Sequence, residues 1–261
     1  MYKETIRALN EQGASKSAML KRSPLVYLLS AIIAGSYVGI GALIMFSLGA
    51  PLYDVQSPIL DLVVGSTFGI ALIIILIGGS DLFTGNNMIM TTSTFSGGTT
   101  WKETFGVWGA SYVGNAVGAL LISLLVLGAG IFQDIPADHY MFSLAAEKIS
   151  LPWSQLFFQG ILCNWIVCLA IWLTLRTESD TAKIIMVLGV ILAFVASGFE
   201  HSIANMSILG MAWLHDSYSI LSFGDIIYNL IPVTIGNMIG GAVFVAGTYL
   251  MLNRDEMKDG Q

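Results

Sequence analysis

The chain has 261 residues, of which 55% are hydrophobic and only 11% charged, with a formal net charge of −6 at pH 7. A soluble domain of this size keeps far more charge on its surface, because Lys, Glu, Arg and Asp are almost never left fully buried. A soluble fold is excluded on this ground, and without a basic patch no nucleic-acid partner is expected.

The N-terminus carries Lys3, Glu4, Arg7, Glu11, Lys16, Lys21 and Arg22 ahead of the first apolar run. That is too long and too charged for a cleavable signal peptide. Residues 1–22 read instead as a cytoplasmic amphipathic helix at the membrane surface, with Ile6, Leu9, Met19 and Leu20 among its apolar residues. Six apolar blocks follow, at roughly 24–48, 60–96, 104–130, 154–175, 184–214 and 226–252. Each is long enough to cross a bilayer core of about 30 Å at about 1.5 Å per residue. They make one all-α transmembrane domain of six spans over 23–252, followed by a short cytoplasmic tail at 253–261. Of the 11 Lys and Arg, only Lys148 lies in an alternate loop; Lys102, Arg176, Lys183, Arg254 and Lys258 share a side with the N-terminal cations. The positive-inside rule then places both termini in the cytoplasm of an inner membrane.

The second block would reach roughly 55 Å as one straight helix, and the fifth is also overlong; tilting does not absorb that excess. Both are interrupted by polar, Gly-bearing stretches, Gly78-Gly79-Ser80-Asp81-Leu82-Phe83-Thr84-Gly85-Asn86-Asn87 and Ala196-Ser197-Gly198-Phe199-Glu200-His201-Ser202. Spans two and five are therefore expected to be broken helices, each with a loop at membrane depth. Such backbone is tolerated only inside protein or along an aqueous cavity. The half-helix after each break turns its N-terminal amides toward the same region, which attracts anions.

The halves echo each other at a period of about 120 residues. Asn87-Met88 returns as Asn205-Met206, and Gly114-Asn115-Ala116-Val117-Gly118 as Gly236-Asn237-Met238-Ile239-Gly240. With three spans per half, at about 23–130 and 150–252, the second half enters upside down: an inverted 3+3 repeat. The small-xxx-small spacing in spans three and six suits close helix packing.

Asp81, Glu200 and His201 fall inside apolar blocks, where an ionisable group is costly and needs a partner. Asp81 reads as the end or cap of a half-helix. Lys148, assigned to the outer loop before span four, pairs with Glu200 either to hold the second break open or to tune the pore field. His201 lies in the break itself, whereas His139 and His215 belong to loops. It donates to an anion when neutral and attracts it more strongly when protonated, with an ordinary pKa of about 6.5. Thr84 and His201 bring a hydroxyl and an imidazole from opposite breaks, with amide donors from Asn164 and Asn237 nearby. Phe68 and Phe194 narrow the path on one side, and Leu72, Leu82 and Phe83 on the other, although such stripes are more often packing. Cys163 and Cys168 point apart on one helix and read as packing residues. With no other His or Cys at ligand spacing to His201, no metal is expected, and no cofactor motif is present.

The stretches Ser80-Asp81-Leu82-Phe83-Thr84-Gly85, Ala196 through Met206, and Asn229-Leu230-Ile231-Pro232-Val233-Thr234-Ile235-Gly236-Asn237 resemble the formate/nitrite transporter family over nearly the whole chain. Gly160-Ile161-Leu162-Cys163-Asn164-Trp165 and Arg176-Thr177-Glu178 look most like its nitrite-channel branch. The resemblance implies an aquaporin-like protomer and a homopentamer with one pore per subunit. It further implies a central site of Thr84, His201, Asn164 and Asn237, a cytoplasmic constriction of Leu72, Leu82 and Phe83, and a periplasmic one of Phe68 and Phe194. Lys148, Glu200 and Asn205 match a polar set around the histidine. The expected function is a channel or proton-coupled facilitator for nitrite, with formate overlapping. A hydrosulfide channel and a neutral-solute pore are the alternatives, and an intramembrane enzyme using Glu200 and His201 is not expected.

Overall fold

The computed structural model describes residues 2–253; Arg254, Lys258 and the expected tail beyond Asn253 lie outside the described residues. The described chain is helical throughout, with no strand. In chain order the helices are α1 (Lys3–Arg22), α2 (Pro24–Asp54), α3 (Leu60–Gly78), α4 (Phe83–Phe95), α5 (Trp101–Gly128), α6 (Tyr140–Ser150), α7 (Trp153–Thr174), α8 (Asp180–Ala196), α9 (Ser202–His215) and α10 (Phe223–Ile239). A π-helical stretch, Gly240–Gly247, carries α10 on into α11 (Thr248–Leu252).

Five of these helices are long and apolar enough to cross a membrane: α2, α3, α5, α7 and the continuous run from Phe223 to Leu252. The block expected as span five is divided into α8, of 17 residues, and α9, of 14. Polarity is distributed inside out. Leu25, Val113, Leu125 and Phe158 are exposed, while Asn86, Asn115, Asn164, Asn229 and Asn237 are fully buried. An apolar rim around a hydrogen-bonded polar centre is the arrangement a lipid solvent demands.

Capping sets several boundaries earlier than hydropathy does. Thr100 and Glu103 form a reciprocal capping box at the start of α5, as Ser222 and Asp225 do for α10. Helix α6 was not expected at all. His139 caps it, its Nδ1 accepting the Met141 amide at 3.2 Å, and Lys148 lies on this helix rather than in a loop. His215 likewise belongs to the last turn of α9 rather than to a loop.

Helix α1 keeps a buried stripe of Thr5, Ile6, Leu9, Gly13 and Ser17 at helical spacing. The small polar members of that stripe exist because α1 packs on α4, with Gly13 against Ser93, rather than lying only on lipid. Helices α2 and α5 approach at Gly35, Gly114 and Gly118, and α7 meets α10 and its π-helical continuation at Gly160, Gly236 and Gly240. At these points neighbouring backbone, or at Gly114 the Ala31 methyl, occupies the space a Cβ would need.

Candidate functional site: a buried Thr–His pair between two cavities

Two non-helical segments, 79–82 and 197–201, meet in the interior. Each contains a glycine in the left-handed region, Gly79 at φ +73° and Gly198 at φ +67°, a conformation that L side chains rarely adopt. Each is then pinned by one asparagine from a later helix. Asn115 Oδ1 accepts the Phe83 amide at 2.9 Å, while its Nδ2 donates to the carbonyls of Ala31 (2.7 Å) and Asp81 (2.9 Å). Asn237 Oδ1 accepts the Ser202 amide at 2.8 Å, while its Nδ2 donates to the carbonyls of Gly160 (2.8 Å) and Glu200 (3.0 Å). Backbone groups with no helical partner are thus satisfied by side chains, as a buried helix start requires.

Each segment also carries a carboxylate bound to a lysine and to an asparagine five residues on. Asp81 Oδ1 accepts from Lys16 Nζ (2.5 Å), Tyr27 Oη (3.2 Å) and Asn86 Nδ2 (3.2 Å). Glu200 accepts from Lys148 Nζ (2.6 Å) and from Asn205 Nδ2. Asp81 is therefore no helix cap: α4 has no side-chain cap, and the carboxylate ties α1 to the first segment instead. The Lys148–Glu200 pair forms as expected. Asn229 supports it, donating to the Lys148 carbonyl (3.0 Å) and to Glu200 Oε2 (3.3 Å).

Between the segments, Thr84 Oγ1 and His201 Nε2 stand 3.0 Å apart, with Thr84 completely buried and His201 5% exposed. His201 is also the N-cap of α9, its Nδ1 accepting the Ala204 amide at 3.1 Å. An accepting Nδ1 leaves the neutral ring's hydrogen on Nε2, so the imidazole donates to Thr84 Oγ1. Asn164 and Asn237 adjoin the pair, but their donors are committed. Asn164 Nδ2 serves the carbonyls of Thr84 (3.1 Å) and Asn237 (2.7 Å) and the Asn87 side chain (3.1 Å). They hold backbone in place, where the sequence suggested free amide donors.

A cavity of about 640 Å³ opens beside Lys16 and Asp81 and ends on Leu72 and Leu82. A second, of about 470 Å³, opens beside Lys148 and Glu200 and ends on Phe68, Phe194 and His201. A void of about 20 Å³ between them touches Leu72, Leu82, Phe68, Phe194 and His201. That is room for about one water molecule. The Phe68 and Phe194 rings meet edge to face, with centroids 6.1 Å apart. Phe83 lines none of the three spaces; its ring packs on Tyr112 at 4.9 Å, because its amide is drawn to Asn115 on the same helix. Thr84 lies behind His201 rather than on a cavity wall. Cys163 and Cys168 are free and buried.

Sequence reasoning missed Asn115, Asn86 and Lys16 as parts of this centre. The internal repeat held the signal, since Asn115 is the counterpart of Asn237 in the GNxxG match. Asp81 and Asn86 repeat the spacing of Glu200 and Asn205, so a lysine for Asp81 was to be sought.

Residues 3–251 match the family model described as formate/nitrite transporter. A nitrite transporter (NirC) of Escherichia coli strain K12 is 39% identical over 250 residues, covering 95% of this chain and 91% of that protein. The formate channel (FocA) of the same organism is 32% identical over 273 residues, covering 94% and 92%. Among solved structures, an FNT family ion channel superposes with a TM-score of 0.91 at 36% identity, covering 96% of this chain and 99% of that one. A pentameric formate channel with formate bound gives 0.76 at 29% identity, covering 90% and 99%. A multi-pass helical chain with two cavities parted by a narrow void that His201 touches, matched over residues 3–251 in this way, belongs to the formate/nitrite transporter family.

Proposed function

We propose that the protein is a homopentameric channel, one pore per subunit, that carries small weak acids and their monovalent anions, nitrite first and formate second. The single observation behind this reading is the buried Thr84–His201 pair, whose imidazole lines the Lys148-side cavity and the narrow void between the two vestibules. In this reading α3 with α4, and α8 with α9, are the two halves of interrupted spans. The six spans of 23–252 then form an inverted repeat, and the paired asparagine clamps and lysine–carboxylate pairs support that symmetry. Residues 1–22 form a cytoplasmic helix, and both termini face the cytoplasm. The Lys16-side cavity is then the cytoplasmic vestibule, closed by Leu72 and Leu82. The Lys148-side cavity is the periplasmic one, closed by Phe68 and Phe194.

A bare carboxylate-sized anion moved into a medium of dielectric about 4 costs on the order of 20 kcal/mol. The constrictions supply apolar surface only, so the charge must meet a donor or travel neutralised. His201 supplies the donor: Nε2–H can swing its bond from Thr84 Oγ1 to a passing oxygen. Protonating Nδ1 would break the cap on the Ala204 amide and set a cation against the positive end of α9. A neutral imidazole has no spare proton to lend, so the acid crosses the constrictions with its own proton. Asn164, Asn237 and Asn115 position this centre, Thr84 orients the ring, and Lys148, Glu200 and Asn205 anchor the second segment.

Nitrite and formate uptake by proteoliposomes over a pH series tests this. Uptake is expected to rise as pH falls and to drop at least tenfold in His201→Ala. Equal flux in wild type and His201→Ala would overturn the role of the histidine.

A further inference from the structure

Two histidines hold opposite ends of the segment that joins α5 to α6, and they need opposite protonation states. His139 sits at the N-terminus of α6, where its Nδ1 accepts the Met141 amide at 3.2 Å. Accepting takes a free lone pair, so that bond exists only with a neutral ring. His215 ends α9 and meets two acceptors. Its Nδ1 lies 2.8 Å from the Met211 carbonyl oxygen and its Nε2 3.1 Å from that of Ile131. A carbonyl oxygen only accepts, so both bonds form together only when the ring carries both hydrogens, as imidazolium. A neutral ring keeps one bond and turns a lone pair toward the other oxygen. The helix ends agree with this division: a cation is favoured at the C-terminus of α9 and disfavoured at the N-terminus of α6.

The segment between the two rings is held in a costly shape. Phe132 stands at φ +63° and Asp134 at φ +52°, backbone that such residues keep only when their surroundings impose it. The Phe132 ring packs on those of His139 (centroids 5.8 Å apart), His215 (6.2 Å) and Phe46 (6.2 Å). Phe46 in turn meets Tyr140 at 6.1 Å, and Tyr140 lines the Lys148-side cavity. The carboxylates on the elements packed here are Asp54 of α2, Asp134 and Asp138 of the segment, Glu147 of α6, Asp216 and Asp225. Asp216 is spent on the amides of Tyr218 and Leu221, both at 2.9 Å, and Asp225 on Ser222. The remaining titratable groups are Tyr53, Tyr140, Tyr218 and Lys148, and Glu200 takes the lysine.

We propose that segment 129–139 is a pH-responsive strap at the mouth of the Lys148-side vestibule. Neutral His139 fastens its far end to α6, charged His215 fastens its near end to α9, and acidification moves the hold from the first to the second. Tyr140, the first residue of α6, is carried by that exchange, so the mouth changes shape with pH. This goes beyond the channel reading and does not depend on which solute passes.

Hydrogen exchange resolved to single amides, on the full-length protein in detergent, tests this between about pH 7.5 and 5.5, with rates corrected for the intrinsic effect of pH. The reporters are the Ile131 amide, bonded to the Val126 carbonyl at 3.2 Å, and the Phe142 amide, bonded to the His139 carbonyl at 2.9 Å. On acidification Ile131 exchange is expected to slow about fivefold, the worth of one hydrogen bond, while Phe142 exchange quickens. His215→Phe keeps a ring and loses both donors, so Ile131 should exchange fast at either pH while Phe142 still responds. His139→Asn, which caps at any pH, should leave the Ile131 response and abolish that of Phe142. General loosening by acid would quicken both amides, and opposite signs set the strap apart from it. Unchanged or faster Ile131 exchange in the acidic wild-type protein overturns the proposal. An Ile131 response that survives in His215→Phe overturns it too. The wild-type measurement needs no substitution, so it decides the matter even where a variant fails to assemble.

Discussion

His201 Nε2 and Thr84 Oγ1 lie 3.0 Å apart, although 117 residues separate them in the chain. The bond joins the starts of α4 and α9, and the capping bond to Ala204 decides its direction. Thr84→Val removes the acceptor while keeping the shape, and Thr84→Ser keeps the hydroxyl. Nitrite flux is expected to fall about tenfold in the valine variant and to stay within about twofold in the serine variant, read by stopped-flow uptake. That difference corresponds to about 1.4 kcal/mol, within the range for one buried hydrogen bond.

The Lys148–Glu200 pair is nearly sealed from solvent, its side chains 11% and 3% exposed. Removing one partner leaves an uncompensated buried charge, which costs about 3–5 kcal/mol. Lys148→Met and Glu200→Gln are each expected to lower the melting temperature of the detergent-solubilised protein clearly. The double variant should recover most of that loss. A double variant as unstable as the sum of the two would show that the pair carries no coupling.

Asn115 and Asn237 each satisfy one amide and two carbonyls. Replacing either by Ala orphans buried backbone groups at about 1–3 kcal/mol each. Both variants are expected to lose assembly on size-exclusion chromatography. Asp at either position restores the acceptor for Phe83 or Ser202 but neither donor, so it should rescue poorly.

His139 lies in the loop outside the spans and caps α6 through Nδ1. Burial pushes its pKa below the ordinary value of 6.5, and the carboxylates of Asp54 and Asp138 pull it partly back up. The neutral ring is the form that caps. Its contribution is therefore complete above about pH 6.5 and is lost as pH falls through the lowered folded value. Hydrogen exchange at Met141 and Ser143 is expected to quicken on acidification more than exchange in α5 does. His139→Asn, which caps at any pH, should flatten that response.

Hydropathy and run length were enough, before any coordinates, to determine an all-helical membrane chain. Glycine beside small polar residues, Gly78-Gly79-Ser80-Asp81 and Ser197-Gly198, marked where helix stops, at 79–82 and 197–201, because backbone entropy and competing side-chain bonds act locally. A carboxylate at depth pointed to Glu200 pairing with Lys148 of the adjoining outer segment, since it cannot stay buried alone. Partner choice across the fold was another matter. That Lys16 serves Asp81, that Asn164 and Asn237 spend their donors on carbonyls, and that the Phe83 ring packs on Tyr112 depend on groups from distant helices competing for the same atoms. Helix α6 escaped notice because its 11 residues make too short an apolar run to register as a span, and its cap is a histidine. The sequence determined which groups must be buried in lipid. Only the tertiary structure decided which of them satisfy one another, because a hydrogen bond needs a partner within about 3 Å and spacing along the chain does not specify one.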